Sequence, residues 1–254
     1  TAPTITLTGN STVNVEQGSI YTDAGATAAD LIDGDISASV IPGGTVDTNV
    51  SGTYTLTYNV NDAAGNAATQ VTRTVIVSDT TKPVITLVGS SPLNHEVGTI
   101  FTDPGATASD NIDGDISANI GVSGSVNANT IGAYTLSYNV VDAAGNSATT
   151  TTRTVNVVDT GAPSITLLGD SPILHELQTA FTDPGATAFD AADGDLTAGI
   201  VVTGTVNSNI AGTYTLTYNV TDSQSNAAAT VSRNVIVADR TAPTITLTGN
   251  STVN

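Results

Sequence analysis

Apolar and polar residues alternate in short runs along this chain. Ile5-Thr6-Leu7-Thr8 alternates, Val13-Asn14-Val15 does so again, and Tyr54-Thr55-Leu56-Thr57-Tyr58-Asn59-Val60 extends the pattern over seven residues. A period of two turns one face of each strand toward a core and leaves the Thr-rich face in water. Residues 71–77 predict the last strand of the set. It follows the Tyr54 strand through Asp62-Ala63-Ala64-Gly65-Asn66, a turn whose Gly and Asn tolerate positive φ. No stretch sustains a period of 3.6, and Pro, Gly, Asn and Asp punctuate the chain about every 8–12 residues, as in sandwiches and barrels. The expectation is all-β: Greek-key sandwiches of about seven strands each, end to end. Tyr54, Tyr134 and Tyr214 open the penultimate strand, where a tyrosine corner would lock the connection.

The pattern repeats every 80 residues without a slip. Pro3, Pro83, Pro163 and Pro243 share one phase; so do Asp33-Gly34-Asp35, Asp113-Gly114-Asp115 and Asp193-Gly194-Asp195, and Arg73, Arg153 and Arg233. The aromatics keep the same register as Tyr21/Phe101/Phe181, Tyr54/Tyr134/Tyr214 and Tyr58/Tyr138/Tyr218, with Phe189 alone outside it. Three copies of one core are therefore expected, with modules at 1–80, 81–160 and 161–240 and the first strand or two of a fourth at 241–254. Residues 241–254 are identical to 1–14, although the internal copies have diverged. Identity at that distance predicts a window on a longer array of 240-residue units, with the terminal strand completed by a further module or by pairing with another chain.

The 254 residues carry 5 Lys+Arg against 23 Asp+Glu, a formal charge of −18. Such a surface repels phosphate backbones and anionic lipid, so neither nucleic acid nor a membrane is an expected partner, and no run of 18 apolar residues predicts a span. With no Cys and two His, thiol chemistry, disulfides and zinc sites drop out.

P-x-I-T-L, then Y/F-T-D-x-G-A-x-A, D-x-x-D-G-D-[IL], G-x-Y-x-L-x-Y-N-V-x-D and R-x-V recur in that order over the whole chain. This succession resembles the bacterial Ig-like surface-protein domains found in tandem on large exported proteins. The resemblance implies an extracellular or cell-surface location, a spacer, stalk or adhesive role, and no reaction. Two departures stand out. Module 1 has Asp23-Ala24-Gly25 where the others read Asp-Pro-Gly, and module 3 has Asp222-Ser223-Gln224-Ser225-Asn226, losing the turn Gly.

The aspartates hold the candidate chemistry. All but Asp47 and Asp170 fall at six phase-locked positions. Threaded through a sandwich, the loop from Asp110 to Asp115 and the turn at Asp142 come to the same end of a module, where the preceding linker delivers Asp79. The candidate metal ligands are thus Asp30, Asp33, Asp35 and Asp62 in module 1; Asp79, Asp110, Asp113, Asp115 and Asp142 at the next junction; Asp159, Asp190, Asp193, Asp195 and Asp222 at the one after; and Asp239 beyond. Two unit charges ~4 Å apart repel by about 1 kcal/mol in water and about 4 at an effective dielectric near 20, so such groups splay or take up a cation. Carboxylate, carbonyl and water oxygens on flexible loops suit Ca²⁺ better than Mg²⁺. The competing reading is that these residues cap their own turns and that Arg153, sharing parity with Val155 and Val157, pairs with one of the loop aspartates. Asp23, Asp103 and Asp183 read as turn residues.

Other features carry less. His95 and His175 sit where module 1 has Val15, no G-x-S-x-G turn exists, and Pro42-Gly43-Gly44 reads as a hairpin loop. The linker Asp79-Thr80-Thr81-Lys82-Pro83 is short and stiffened by its Pro. The functional expectation is a non-catalytic repeat region of an extracellular adhesin stalk or surface filament, rigidified by Ca²⁺ at module junctions. Its partners would be neighbouring modules or identical chains, the latter by strand exchange. A glycan- or protein-binding adhesive module, or an accessory array of a secreted hydrolase, are the alternatives.

Overall fold

The computed structural model describes residues 1–246, 248 and 249; of the start of a fourth module expected at 241–254, residues 241–246 are described and carry no strand, while 247 and 250–254 lie outside the described residues. The chain forms two compact units. One comprises Thr1–Ser91, Asp103–Gly124 and Thr135–Arg153, the other Pro92–Thr102, Ser125–Tyr134 and Thr154–Asn254.

In the first unit the initial repeat supplies β1 (Thr4–Leu7), β2 (Thr12–Glu16), β3 (Ala26–Asp30), β4 (Gly34–Asp35), β5 (Ile41–Gly43), β6 (Gly52–Asn59) and β7 (Val71–Ser78). A three-stranded sheet of order β1-β3-β4 faces a four-stranded sheet of order β2-β7-β6-β5. Their inward positions, among them Ile5 and Ala28 from one sheet and Leu56, Tyr58, Val75 and Val77 from the other, form the core. Alternation along β7 buries Arg73, Val75 and Val77, so the arginine occupies a core-facing place that its parity predicts. The β2–β7 pairing is parallel, Val15 opposite Val77 and Glu16 opposite Ser78.

The second repeat supplies β8 (Val84–Leu87), β9 (Leu93–Glu96), β10 (Ala106–Asp110), β11 (Gly114–Asp115), β12 (Gly121–Ser123), β13 (Gly132–Asn139) and β14 (Thr151–Val158). In the first unit β10 pairs with β8 and β11, and β12 with β13. Ala108, Ile116 and Val140 close the core there. In the second unit β9 runs parallel to β14, Glu96 opposite Val158. That unit also holds β15 (Ser164–Leu167), β16 (Ile173–Glu176), β17 (Ala186–Asp190), β18 (Gly194–Asp195), β19 (Val201–Thr203), β20 (Gly212–Asn219) and β21 (Val231–Ala238), in sheets β15-β17-β18 and β16-β21-β20-β19.

The expected tyrosine corners are present. The Tyr54 hydroxyl donates to the Val50 carbonyl at 2.8 Å, and Tyr134 and Tyr214 donate to Thr130 and Ile210 at 2.9 Å. Two local expectations change. Pro42 and Gly43 lie in β5, paired with residues 57–59 of β6, rather than in a hairpin loop. β5 is an edge strand, where a residue without an N–H is tolerated. In the third repeat, Ser225 adopts φ 71 in place of the lost glycine. The Asp222 N–H still reaches the Asn226 carbonyl at 3.1 Å, so the turn survives the substitution.

The arginines overturn a further expectation. Arg153 is fully buried, and it pairs with Asp103, Nε to Oδ1 3.2 Å, rather than with a loop aspartate. Its remaining donors reach the carbonyls of Ser90 at 2.9 Å, Val88 at 2.6 Å and Gly105 at 2.7 Å. The Tyr138 hydroxyl lies 2.8 and 2.7 Å from the two Asp103 oxygens. Arg73 with Asp23 and Arg233 with Asp183 repeat the arrangement. The sequence places the guanidinium inward, but its partner is chosen by how the β1–β2 and β2–β3 connections fold over it.

Removing one member of a buried pair strands the other. Arg153→Met is therefore expected to lower the unfolding free energy by about 3–5 kcal/mol in denaturant titration; a change within about 0.5 kcal/mol, typical of surface sites, would contradict this account. Burial, and then Asp23 or Asp183, pushes the Tyr58 and Tyr218 hydroxyls up to about 12. The unfolded chain releases these protons near the ordinary tyrosine value of about 10. The stability they contribute is complete below that value and lost as pH rises toward 12. Spectrophotometric titration should show three of the seven tyrosines ionising together with unfolding rather than before it.

Candidate metal centres

Three groups of aspartates converge. Asp79, Asp110 and Asp142 each present a carboxylate oxygen within 4.8 Å of the others, as do Asp159, Asp190 and Asp222, and Asp30, Asp33 and Asp62. The first and third groups lie in one compact unit and the second in the other. In each junctional group one member follows the last strand of a repeat, one ends the third strand of the next, and one opens the turn after its sixth strand.

Local turn chemistry aims these side chains. At the end of β10, Asp110 Oδ1 accepts the N–H groups of Ile112 at 2.8 Å and Asp113 at 3.2 Å. This Asx turn lets the chain reverse into β11 and leaves Asp110 Oδ2 buried without a hydrogen-bond partner. Asp142 Oδ1 accepts the Asn146 N–H at 2.7 Å and its Oδ2 the Asn146 side-chain amide at 2.9 Å. The same Asn146 amide reaches the Asp79 carbonyl at 3.2 Å, tying the linker to the turn of the following repeat. Asp159 Oδ1 accepts the Gly161 N–H at 3.1 Å, while its Oδ2 has no partner although the residue is only 9% exposed. Asp190 caps Ala192 and Asp193, and Asp222 and Asn226 repeat the Asp142–Asn146 pair.

The remaining candidates have other tasks. Asp113 Oδ2 accepts the Ala143 N–H at 2.7 Å and Asp193 Oδ2 the Ser223 N–H at 2.7 Å, joining the two loops of each site. Asp33 does the same to Ala63 and also belongs to its cluster. Asp35, Asp115 and Asp195 cap Ser37, Ser117 and Thr197, and are not among the grouped oxygens. Asp239 is exposed and accepts the Thr241 N–H. A residue type that sequence reasoning passed over also enters: Glu16, Glu96 and Glu176 bind the linker backbone. Their signal was that the chain's three glutamates all lie in the 80-residue register.

The electrostatics are uneven. Burial is the largest influence on Asp79 and raises its carboxyl above the ordinary value; the Thr81 N–H opposes this, while Asp110, Glu16 and Asp142 add to it. Asp159 is raised likewise by burial, against the Gly161 N–H and with Asp190, Asp222 and Glu96 adding. Burial also works to raise Asp142 and Asp222, but hydrogen bonds from Asn146 and Asn226 outweigh it and hold both low. Among the described residues, the three ion pairs are those of the buried arginines, and none reaches a cluster. Each junction therefore gathers three acidic groups with no basic side chain in contact.

The family model described as bacterial surface protein, Ig-like domain, matches residues 5–77, 85–157 and 165–237. Hyalin of Strongylocentrotus purpuratus is 32% identical over 271 residues, covering 98% of this chain and 22% of that protein. The pesticidal crystal protein Cry22Aa of Bacillus thuringiensis is 28% identical over 237 residues, covering 87% of this chain and 31% of that protein. The chain spans less than a third of either relative. Among solved structures, Drosophila N-cadherin EC1-4 aligns with a TM-score of 0.31 at 11% identity, over 94% of this chain and 76% of that one.

A carboxyl raised in the folded state subtracts stability above the ordinary Asp value and ceases to do so as pH falls below it. In chelator near neutral pH, Asp159→Asn should thus raise the thermal midpoint, by about 1–3 °C for a chain of this size. Asp142→Asn, which weakens two bonds to Asn146, should lower it. Midpoints moving together in a pair of melting curves would refute the division of labour.

Proposed function

The chain belongs to the bacterial surface protein, Ig-like domain family, and from that membership we propose that it is a non-catalytic structural stretch of an extracellular stalk or surface filament whose junctions are stiffened by Ca²⁺. The observation that carries this reading is the buried, unpartnered Oδ2 of Asp159, a residue whose carboxylate is grouped with those of Asp190 and Asp222 and makes no ion pair with a basic side chain. A desolvated carboxylate oxygen without a donor is costly unless something satisfies it. A hard divalent ion does so with oxygen ligands alone, and Ca²⁺ accepts ~6–8 of them in irregular geometry.

Asp159, Asp190 and Asp222 would hold the ion at one junction, and Asp79, Asp110 and Asp142 at the other. The bound ion supplies positive charge that turns mutual repulsion into attraction. Each site draws one ligand from the linker and two from the repeat that follows, so occupancy would restrain the linker against that repeat. Asn146 and Asn226 already bridge the same two parts through the Asp79 and Asp159 carbonyls at 3.2 Å. Asp30, Asp33 and Asp62 form the corresponding site of the first repeat, where the Thr1 hydroxyl reaches Asp30 at 3.1 Å.

Calorimetric titration of the full chain with Ca²⁺ tests the reading. Binding in the millimolar range or tighter, as in extracellular modules, is expected, with a rise of several degrees in the thermal midpoint over a chelator control. Asp159→Asn and Asp222→Asn should each remove one component of the binding. A midpoint unmoved at millimolar Ca²⁺ leaves these aspartates as turn caps only.

A further inference from the structure

All three glutamates of the chain close the same corner. Glu16, Glu96 and Glu176 end β2, β9 and β16, and the parallel register sets them opposite Ser78, Val158 and Ala238, the last residues of the exit strands. Beyond that rung the linker leaves the sheet, and its N–H groups lose their ladder partners. The Glu96 carboxylate takes over. Oε1 accepts the N–H groups of Thr160 at 2.9 Å and Gly161 at 3.1 Å, and Oε2 accepts the Thr160 hydroxyl at 2.7 Å. Glu16 accepts the N–H groups of Thr80 at 3.1 Å and Thr81 at 3.2 Å, and the hydroxyls of both. Glu176 accepts the Arg240 N–H at 3.0 Å.

We propose that Glu16, Glu96 and Glu176 are latches that fix the inter-repeat linkers and are positioning residues for the linker aspartates. The geometry at the second junction shows how. The Gly161 N–H is shared between Glu96 Oε1 and Asp159 Oδ1, at 3.1 Å to each. One fixed donor therefore orients the aspartate: with Oδ1 so held, Oδ2 is buried without a partner, in a residue that presents a carboxylate oxygen within 4.8 Å of those of Asp190 and Asp222. Charge-assisted bonds of this kind are short and directional, and two of them on adjacent amides restrict the linker's φ and ψ together. Aspartate, one methylene shorter, would not span the same gap, which accounts for glutamate here in a chain whose other acidic residues are all aspartate. Glu96 itself is not among the grouped oxygens, which come from Asp159, Asp190 and Asp222.

The latch stands independently of any ion, whereas its effect on cation affinity rests on the Ca²⁺ reading. Glu96→Gln and Glu96→Asp in the full chain separate the two. In chelator, hydrogen exchange at the Thr160 and Gly161 amides should quicken roughly tenfold or more in both variants, the loss expected for a charge-assisted bond. The thermal midpoint should stay within a few degrees of the parent. In Ca²⁺ titrations the component that Asp159→Asn abolishes should weaken about 10–100-fold, as for other residues that orient metal ligands. Unchanged exchange overturns the latch. Faster exchange with unaltered affinity overturns the positioning role. A parent chain that binds no Ca²⁺ defeats the cation reading and the positioning role with it, while exchange still decides the latch.

Discussion

Scarcity of positive charge organises this molecule. Five basic residues face 23 acidic ones, and the fold buries three of the five. Each buried guanidinium is paired with Asp23, Asp103 or Asp183 and also donates to nearby carbonyls, although Arg233 Nε is left without a partner. Lys82 and Arg240 remain, and among the described residues neither forms an ion pair with the junction aspartates. Those aspartates are dispersed by capping, as at Asp115, or gathered and left to a cation from outside, as proposed at Asp159.

Capping and cation binding are compatible uses of one side chain. An Asx turn engages one carboxylate oxygen with the backbone two or three residues on and directs the other away from it. Asp110 and Asp159 are arranged in this way, Oδ1 on N–H donors and Oδ2 without one. The turn is what preorganises the acidic group, so the same aspartate that ends a strand can present a ligand without further ordering. Asp142 differs, with both oxygens held by Asn146, and its charge is correspondingly easy to maintain.

The constant spacing carries a structural consequence. Because no insertion disturbs the phase, the linkers after the first and second repeats leave their sheets at the same rung and meet the same third-strand end and post-sixth-strand turn of the next repeat. Substitutions are confined to what this geometry tolerates. Ser225 replaces a glycine at positive φ without undoing the turn, and Arg240 replaces Thr80 and Thr160 where only a backbone N–H is required.

The strands, their inward faces, the tyrosine corners and the gathering of Asp79 with Asp110 and Asp142 were all legible from the alternation of residue types and the 80-residue period. Those features depend on local backbone preference and on which side of a pleat a residue occupies, and both are written in a single strand. The partner of Arg153, the parallel β2–β7 pairing that brings Glu16 to the linker, and the separation of Asp115 from its neighbours in the cluster were not legible. Parity says that a side chain points inward, but not which distant loop folds over it. Those choices were made only when strands far apart in the chain were brought within hydrogen-bonding distance, where a difference of a few ångströms decides whether a carboxylate meets a guanidinium, a backbone amide or another carboxylate.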